Sequence, residues 1–464
     1  MKRLTKNLLS IVASDTLRRT FGFLAVAYLA RRVGVSGFGI VTIGFTVLSY
    51  AMMASSAGLQ VLGTREVAGG RNGNLVNAIA GLRGILAVLA YVLILALTGF
   101  VLTDPVTAQV TAVIGLSVFA NAVLLDWYFQ GKEQMAVIGL ARTASACVYV
   151  VLLFALVRSV HDIVWVGVAA VGGDTIASTI LLYAYKRRAG ELKLRFRPAS
   201  WSALLRQSLP IGTGSILGHF SINLPPLVLG LLTAPAAVGM YGAASKLVFF
   251  LLLLDRMFAT LLLPAAARLQ AGSPGNLPSR LSLAAKLITA AALPVSVGGT
   301  LLAKDLVLLV FGSEFGGAAP VFQALVWYFF FTMMHTVMTS GLIASDQQKR
   351  YGLVMAISAG LYAVTITAGT LAAGAVGAAA AVALSEGATM ILMRSQLRKS
   401  MPLPIWSPLV RALPATAVMG AAVVLLPPFH VLLRVFIGFL VYSASLWVTR
   451  GLTREDLAQL KERL

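Results

Sequence analysis

The chain has 464 residues, of which 58% are hydrophobic and only 11% are charged. Soluble domains carry about 25% charged residues, so this composition excludes a soluble globule. Apolar runs of about 20 residues, enough to cross a bilayer, recur along the whole chain. The single cysteine, Cys147, excludes an internal disulfide and any multi-cysteine metal site. Neither a metal nor a cofactor is predicted.

Hydropathy predicts an all-α polytopic membrane protein with about fourteen transmembrane helices. Proline and glycine mark most joints between them, as at Asp104-Pro105 and Gly316-Gly317. The predicted spans cover residues 8–30, 37–62, 76–102, 106–130, 135–157, 161–185, 207–232, 237–263, 283–303, 319–344, 351–373, 376–397, 409–427 and 430–449.

Lysine and arginine predict the orientation of these spans. With both the N- and C-termini in the cytoplasm, inside loops hold 26 of the 37 basic residues and outside loops hold five. Basic residues favour cytoplasmic loops, so this asymmetry supports a multi-pass protein of the cytoplasmic (inner) membrane. The net charge of +21 is thereby explained by topology, and no nucleic-acid partner is expected.

A weak internal repeat predicts two pseudo-symmetric six-helix lobes followed by two extra helices. The sequence FGIV at 38–41 matches VGMY at 238–241, each at the start of a span. The basic segment 186–206 is expected to lie along anionic lipid headgroups between the lobes. The predicted domains are an N-lobe at 1–185, the interlobe segment at 186–206, a C-lobe at 207–397, and the last two spans with a cytoplasmic tail at 398–464.

Three formal charges lie deep in the first span. Asp15, Arg18 and Arg19 share one helical face, because they are three and four residues apart. Each charge costs roughly 2.5–3.5 kcal/mol at the bilayer centre, so this face must meet a polar interior. In one interpretation the acid simply pairs with an arginine and holds helices together. In the other, the unneutralised arginine faces a cavity that receives an anion, to which the guanidinium offers a rigid fork of donors.

Other ionisable residues within the spans also have either a functional or a structural interpretation. In the structural one, Arg83 and Arg142 lie close enough to the inside end of their spans to reach the headgroups. Asp126 fits a contact in a turn or within a lobe, and His335 is more typical of a packed histidine. The candidates for a cationic cavity that binds an anion are Arg18, Arg19, Arg83, Arg142, Lys246 and Arg256. The candidates for internal charge partners or ion coupling are Asp15, Asp174, Asp255 and Glu386, and those for cavity lining or a gate are His219, Asn223 and Asp126.

An enzyme is not predicted. The sequence has no glycine-rich phosphate loop, metal cluster or nucleophile motif. The longest outside stretch, 303–319, contains only Lys304, Asp305 and Glu314 as charged residues, too few for a catalytic domain.

Three stretches resemble the polysaccharide-transporter family of O-antigen and oligosaccharide flippases. They are residues 28–68, DWYFQGKEQM at 126–135 and VGMYGAASKL at 238–247. This family belongs to the multidrug/oligosaccharidyl-lipid/polysaccharide (MOP) exporter superfamily, with MATE drug exporters and lipid II flippases. The resemblance implies a two-lobed fold that works by alternating access. It also implies transport of a polyprenyl-pyrophosphate-linked oligosaccharide from the inner to the outer leaflet, often coupled to an H⁺ or Na⁺ gradient. The anion that the candidate cationic cavity binds would then be the substrate pyrophosphate.

The expected partners are the lipid-linked oligosaccharide, membrane lipids and other membrane proteins of polysaccharide or lipopolysaccharide assembly. The alternatives are a MATE-like multidrug or cation antiporter, a lipid II-type flippase and a membrane scaffold without transport activity. A surplus of buried cations disfavours the export of cationic drugs. A scaffold would tolerate neutral residues at Arg18 and Arg19 with no loss beyond stability.

Overall fold

The computed structural model describes residues 2–70, 74–190, 192, 198–272, 274–398, 401, 406–427 and 429–449, without the side chains of 2–21, 198–200, 211, 213–221, 274 and 406. Within that part of the chain, all regular secondary structure is helical. The predicted all-α membrane fold is therefore confirmed. The chain divides into two compact units, residues 1–239 and 240–464.

The first unit is built around the long helix α1, which packs against α3, α4, α7 and α9. Helix α10 begins in this unit and continues into the second. The helices are α1 (Lys2–Ser56), α2 (Leu59–Ala68), α3 (Asn74–Phe100), α4 (Pro105–Gly115), α5 (Ser117–Ala122), α6 (Asp126–Gly131), α7 (Met135–Leu156), α8 (Trp165–Ala189), α9 (Pro198–Leu232) and α10 (Pro235–Gly272).

The second unit is built around α13, which packs against α11 and α14, while α11 also packs against α15. The last helix is held at two points. The Tyr442 hydroxyl donates to the Ala290 carbonyl (2.6 Å), and Arg434 pairs with Asp305 (2.6 Å). The helices are α11 (Leu277–Leu301), α12 (Ala303–Phe311), α13 (Ala318–Ala344), α14 (Gln348–Arg398), α15 (Trp406–Leu425) and α16 (Val431–Val448).

Eleven helical segments of the described chain are long and apolar enough to cross a membrane. Two long helices contain backbone breaks where the hydropathy pattern predicts joints between spans. Gly34 interrupts α1 with φ 69° and ψ −178°, and Gly374 interrupts α14 with φ 55°. Each predicted span overlaps an observed helix. The count of fourteen crossings and the cytoplasmic placement of both ends stay predictions.

Local sequence explains where several helices begin. Asp104 caps α4 by accepting a hydrogen bond from the Thr107 main chain (2.8 Å), and Pro105 occupies the first turn. The Asp104 pKa is lowered, mainly because the Thr107 hydroxyl also donates to the carboxylate. The Asp-Pro pair that marks this joint in the sequence therefore also caps the helix that follows it.

Helix α9 packs against α1 and α2 and groups with the first unit. The Ser208 hydroxyl donates to the Ala57 carbonyl (2.8 Å), beside Gly58 in the left-handed region at φ 77°. A Cβ on Gly58 would lie 2.4 Å from the Ser208 carbonyl oxygen. The sequence repeat assigns this helix to the C-lobe, and those repeat-based domain boundaries stay a prediction.

The repeat detected around FGIV and VGMY includes a reciprocal backbone contact within the first unit. A Cβ on Gly39 would lie 1.8 Å from the Pro235 carbonyl oxygen, and a Cβ on Gly239 would lie 2.0 Å from the Val35 carbonyl oxygen. The two pairs are related by the same offset of 200 residues. Only glycine permits so close an approach at the starts of these two helical segments.

Alanine at Gly39 or Gly239 should therefore destabilise the fold, although alanine is the better helix former by about 1 kcal/mol. We expect a loss of about 1–3 kcal/mol from overpacking, measured as a lower thermal unfolding midpoint of the purified protein. Gly360→Ala is the matched control, because Gly360 lies in α14 and an added Cβ there would meet no atom within 4 Å. Equal melting of Gly39→Ala and Gly360→Ala would contradict this interpretation.

Candidate functional site

Arg83 is the most deeply buried cation of the described first unit, with none of its surface exposed. It lies on α3, and its guanidinium reaches the interruption between α5 and α6. It donates to the carbonyl oxygens of Leu124 (3.1 Å) and Asn121 (2.6 Å), and to the Asn121 side chain (3.1 Å). The rigid fork of donors thus binds backbone carbonyls at the point where the helix is interrupted.

Arg142 and Asp126 form an ion pair next to this interruption. The Arg142 Nη2 atom lies 2.6 Å from the Asp126 Oδ2 atom, and the two side chains are 34% and 22% exposed. Asp126 also attracts Arg83, and Arg142 attracts Asp174 on α8. Two arginines and two aspartates from four helical segments therefore balance each other.

This balance argues against Arg83 and Arg142 as unneutralised cations. In this structure Arg83 supports a broken span and Arg142 is paired, so neither has an unneutralised charge to offer an anion. The snorkelling alternative for Arg83 is wrong, because its guanidinium is directed into the protein. A direct role of either arginine in binding substrate stays a prediction.

The DWYFQGKEQM segment, which contributed to the family resemblance, packs against neighbouring helices. The Trp127 ring packs directly on Gly63, where an added Cβ would lie only 2.4 Å from the ring. The Trp127 carbonyl accepts a hydrogen bond from the Thr64 hydroxyl (3.2 Å). Tyr128 packs edge-to-face on Tyr185, with ring centroids 4.9 Å apart. The segment therefore ties α2, α6 and α8 together, and the alternative of a contact within the lobe fits Asp126.

Glu386 on α14 is the centre of a polar cluster in the second unit. It is only 6% exposed, and its carboxylate meets three neighbours. The His335 Nδ1 atom lies 2.9 Å from Oε1, the Tyr362 hydroxyl donates to Oε2 (2.5 Å), and the Thr332 hydroxyl lies 3.4 Å from Oε1. The cluster joins α13 to α14.

Asp255 extends this cluster to α10. It accepts a 2.6 Å hydrogen bond from the Thr336 hydroxyl, and it interacts electrostatically with His335, Glu386 and Arg256. The sequence predicts Asp255 and Glu386 as internal charge partners or ion-coupling residues, whereas it favours a packed histidine over a relay for His335. A usable signal is present in the sequence, because Tyr328, Thr332, His335 and Thr336 are spaced to share one face of α13.

Lys246 has a different environment from these paired residues. Its side chain is exposed, and it forms no ion pair within the described part of the chain. It lies on one face of α10 with Phe250, Leu254 and Met257, which are 52%, 49% and 63% exposed. A single unpaired ammonium therefore interrupts an exposed stripe that is otherwise apolar.

Arg256 follows Asp255 on α10 and is exposed, and the two attract each other electrostatically. Asn223 lies in α9, two residues before Pro225 and Pro226, and is partly buried. The side chains of Asp15, Arg18, Arg19 and His219 lie outside the described residues. No group of three or more histidine, cysteine or carboxylate side chains that could hold a metal ion occurs in the described chain.

The family of this chain follows from its sequence as a whole. The profile of the polysaccharide biosynthesis protein family matches residues 4–270, more than half of the chain. The chain belongs to this family, the polysaccharide exporters of the MOP superfamily. The protein is therefore a membrane flippase or transporter of that superfamily. No protein of curated function matches the sequence significantly.

Solved structures show the same fold at low sequence identity. The chain is similar to the lipid II flippase MurJ in an inward closed conformation, with a TM-score of 0.77, 12% identity and coverage of 94% of this chain and 97% of MurJ. It is also similar to an inward-facing MATE multidrug transporter, with a TM-score of 0.67, 14% identity and coverage of 83% and 96%. A MOP-superfamily transporter from Pyrococcus furiosus aligns with a TM-score of 0.50, 15% identity and coverage of 86% and 94%.

Replacement of Arg83 tests whether it is a structural cation. Arg83→Met should remove the donors to the Leu124 carbonyl and to the Asn121 carbonyl and side chain, at a cost of about 1–3 kcal/mol for a buried acceptor left unsatisfied. We expect a clearly lower thermal unfolding midpoint and a smaller loss for Arg83→Lys, which keeps one charge but not the fork.

Arg65→Ala is the control for this experiment, because Arg65 is 60% exposed and pairs only at the surface with Glu66. It should melt close to the wild type. If Arg83→Met also melts like the wild type, the guanidinium does not support the interruption in the fourth span.

Proposed function

We propose that the protein moves a polyprenyl-pyrophosphate-linked oligosaccharide from the inner to the outer leaflet of the cytoplasmic membrane by alternating access. The product would serve cell-surface polysaccharide assembly, in contact with other membrane proteins of that process. Membership of the polysaccharide exporter family supports this substrate class. The observation in the structure that carries the proposal is Lys246 on a membrane helix, where it forms no ion pair with a described residue.

The position of Lys246 favours a hydrated cavity over lipid. It lies eleven residues after Pro235, about 16 Å along α10 at 1.5 Å per residue. A charge near the bilayer centre costs roughly 2.5–3.5 kcal/mol if it faces lipid. A water-filled path that admits an anionic headgroup removes this penalty, and a pyrophosphate diester supplies the counter-charge.

The charge balance of the spans identifies where additional attraction would come from. Arg83, Arg142, Asp126 and Asp174 neutralise one another in the first unit. The first span contributes Arg18 and Arg19 against the single acid Asp15. We therefore assign the pyrophosphate to Lys246, with Arg256 as a further cation of α10. Arg18 and Arg19 stay candidates from the sequence.

The chemistry of transport is binding and release, without a covalent step. The cations would neutralise the pyrophosphate while it is removed from water, and the prenyl chain would stay in lipid. Opening to the outer side hydrates the phosphates again and weakens the attraction. A MATE-like exporter of cationic drugs would require the opposite charge at Lys246, which disfavours that alternative.

Glycan export tests this assignment in cells. Arg18→Ala, Arg19→Ala and Lys246→Ala should each reduce complementation of an export-deficient strain at matched membrane abundance. Lys304→Ala is the control, because Lys304 is also exposed but lies on the short helix α12. Normal export in all three variants would refute the cationic site, and the scaffold alternative predicts that outcome.

Binding of undecaprenyl pyrophosphate to the purified protein tests recognition directly. A lost hydrogen bond to a charged group is worth about 1.5–3 kcal/mol, so Lys246→Ala should weaken binding roughly 10- to 100-fold. Undecaprenol, which lacks the phosphates, should bind weakly to both proteins. Equal affinity for the two lipids would contradict recognition of the pyrophosphate.

A further inference from the structure

The carboxylate of Glu386 is surrounded by hydrogen-bond donors. The imidazole of His335 and the hydroxyls of Tyr362 and Thr332 all lie within 3.4 Å of its oxygens. A sodium ion at this position would have to displace these donors or turn their lone pairs inward, and it would meet an imidazole nitrogen instead of an oxygen. Hard cations favour sites made of oxygen ligands.

His335 has one ring nitrogen free to take up a proton. Its Nδ1 atom faces Glu386, whereas its Nε2 atom is buried without a hydrogen-bond partner. In the neutral ring that donates from Nδ1 to the carboxylate, the lone pair lies on Nε2. A proton that binds at Nε2 gives an imidazolium that Glu386 and Asp255 both attract.

From these contacts we infer that the His335–Glu386 pair is a proton-binding site, and that the gradient used by this transporter is of H⁺ and not Na⁺. This inference rests on the proposed function for its link to transport. Binding adds one proton to Nε2 of His335, and release returns it to water. No bond between heavy atoms changes.

The surrounding charges make the cluster sensitive to one proton. With His335 neutral, Asp255, Glu386 and Arg256 sum to one negative charge, and protonation of His335 brings the sum to zero. The neighbouring helix α11 also carries a cation, Lys286, three residues before Thr289. The Thr289 hydroxyl contacts Met334 on α13. Lys286 has an interaction partner of its own. Among the described residues, the other titratable groups that interact with the cluster are Tyr241 on α10, Tyr328 on α13 and Tyr351 on α14.

The pair is placed to influence the helix that carries Lys246. Asp255 joins α10 to the cluster through Thr336, and it lies nine residues from Lys246 on the same helix. Protonation of His335 weakens the net repulsion between Asp255 and Glu386. The state of the pair therefore biases the position of α10, and through it the proposed pyrophosphate site.

Direct titration of the full-length protein in nanodiscs tests the inference without a transport assay. Infrared difference spectra between pH 8 and pH 5 should contain histidine and carboxylate bands that both His335→Gln and Glu386→Gln remove. His161→Gln and Glu314→Gln are controls at exposed positions, and they should keep these bands. Binding of ²²Na⁺ to the wild type should not saturate in a manner that depends on Glu386.

Each outcome of these measurements is decisive. Saturable ²²Na⁺ binding that Glu386→Gln abolishes, or the absence of pair bands in the wild-type spectra, would overturn the proton site. If the glutamine variants do not fold, the wild-type spectra with ¹⁵N-labelled histidine still show whether a buried ring gains a proton at Nε2. Titration of the pair in a protein that does not bind undecaprenyl pyrophosphate would preserve this inference and refute the proposed function.

Discussion

The cost of burying charge in a bilayer governs the arrangement of the polar residues in this protein. One unpaired charge at the bilayer centre costs roughly 2.5–3.5 kcal/mol, a large fraction of the 5–15 kcal/mol that stabilises a typical protein. In the first unit, Asp126 and Asp174 offset Arg142 and the fully buried Arg83. In the second unit, hydrogen bonds from His335, Tyr362 and Thr332 surround Glu386. Lys246 differs from this pattern, because it is exposed and forms no ion pair with any residue that the structure describes.

Interruptions in the helices position the buried charged side chains. At the interruption between α5 and α6, Arg83 donates to two backbone carbonyls, and Asp126 contacts Arg142. The breaks at Gly34 and Gly374 use backbone conformations that favour glycine. The same residue type allows the reciprocal approach of Gly39 and Gly239, which relates the two halves of the sequence repeat.

Hydropathy and turn residues are sufficient to predict the helical fold, because each span is a local property of about 20 consecutive residues. They also predict the joints at Gly34 and at Ala373-Gly374. The partners of the buried charges cannot be predicted in this way. Arg83 and Asn121 are 38 residues apart, and His335 and Glu386 are 51 residues apart. Only tertiary packing decides that Arg83 supports a helix break while Lys246 stays exposed, so a simple count of cations overstates the charge available for an anion.

The position of the pyrophosphate in the bound protein tests this distinction between neutralised and available cations most directly. A cryo-electron microscopy map of the protein with undecaprenyl pyrophosphate should contain phosphate density within hydrogen-bonding distance of the Lys246 ammonium. The ion pair of Arg142 with Asp126 should remain intact in that map. Phosphate density on Arg83 or Arg142, with this pair broken and Lys246 distant, would contradict the account.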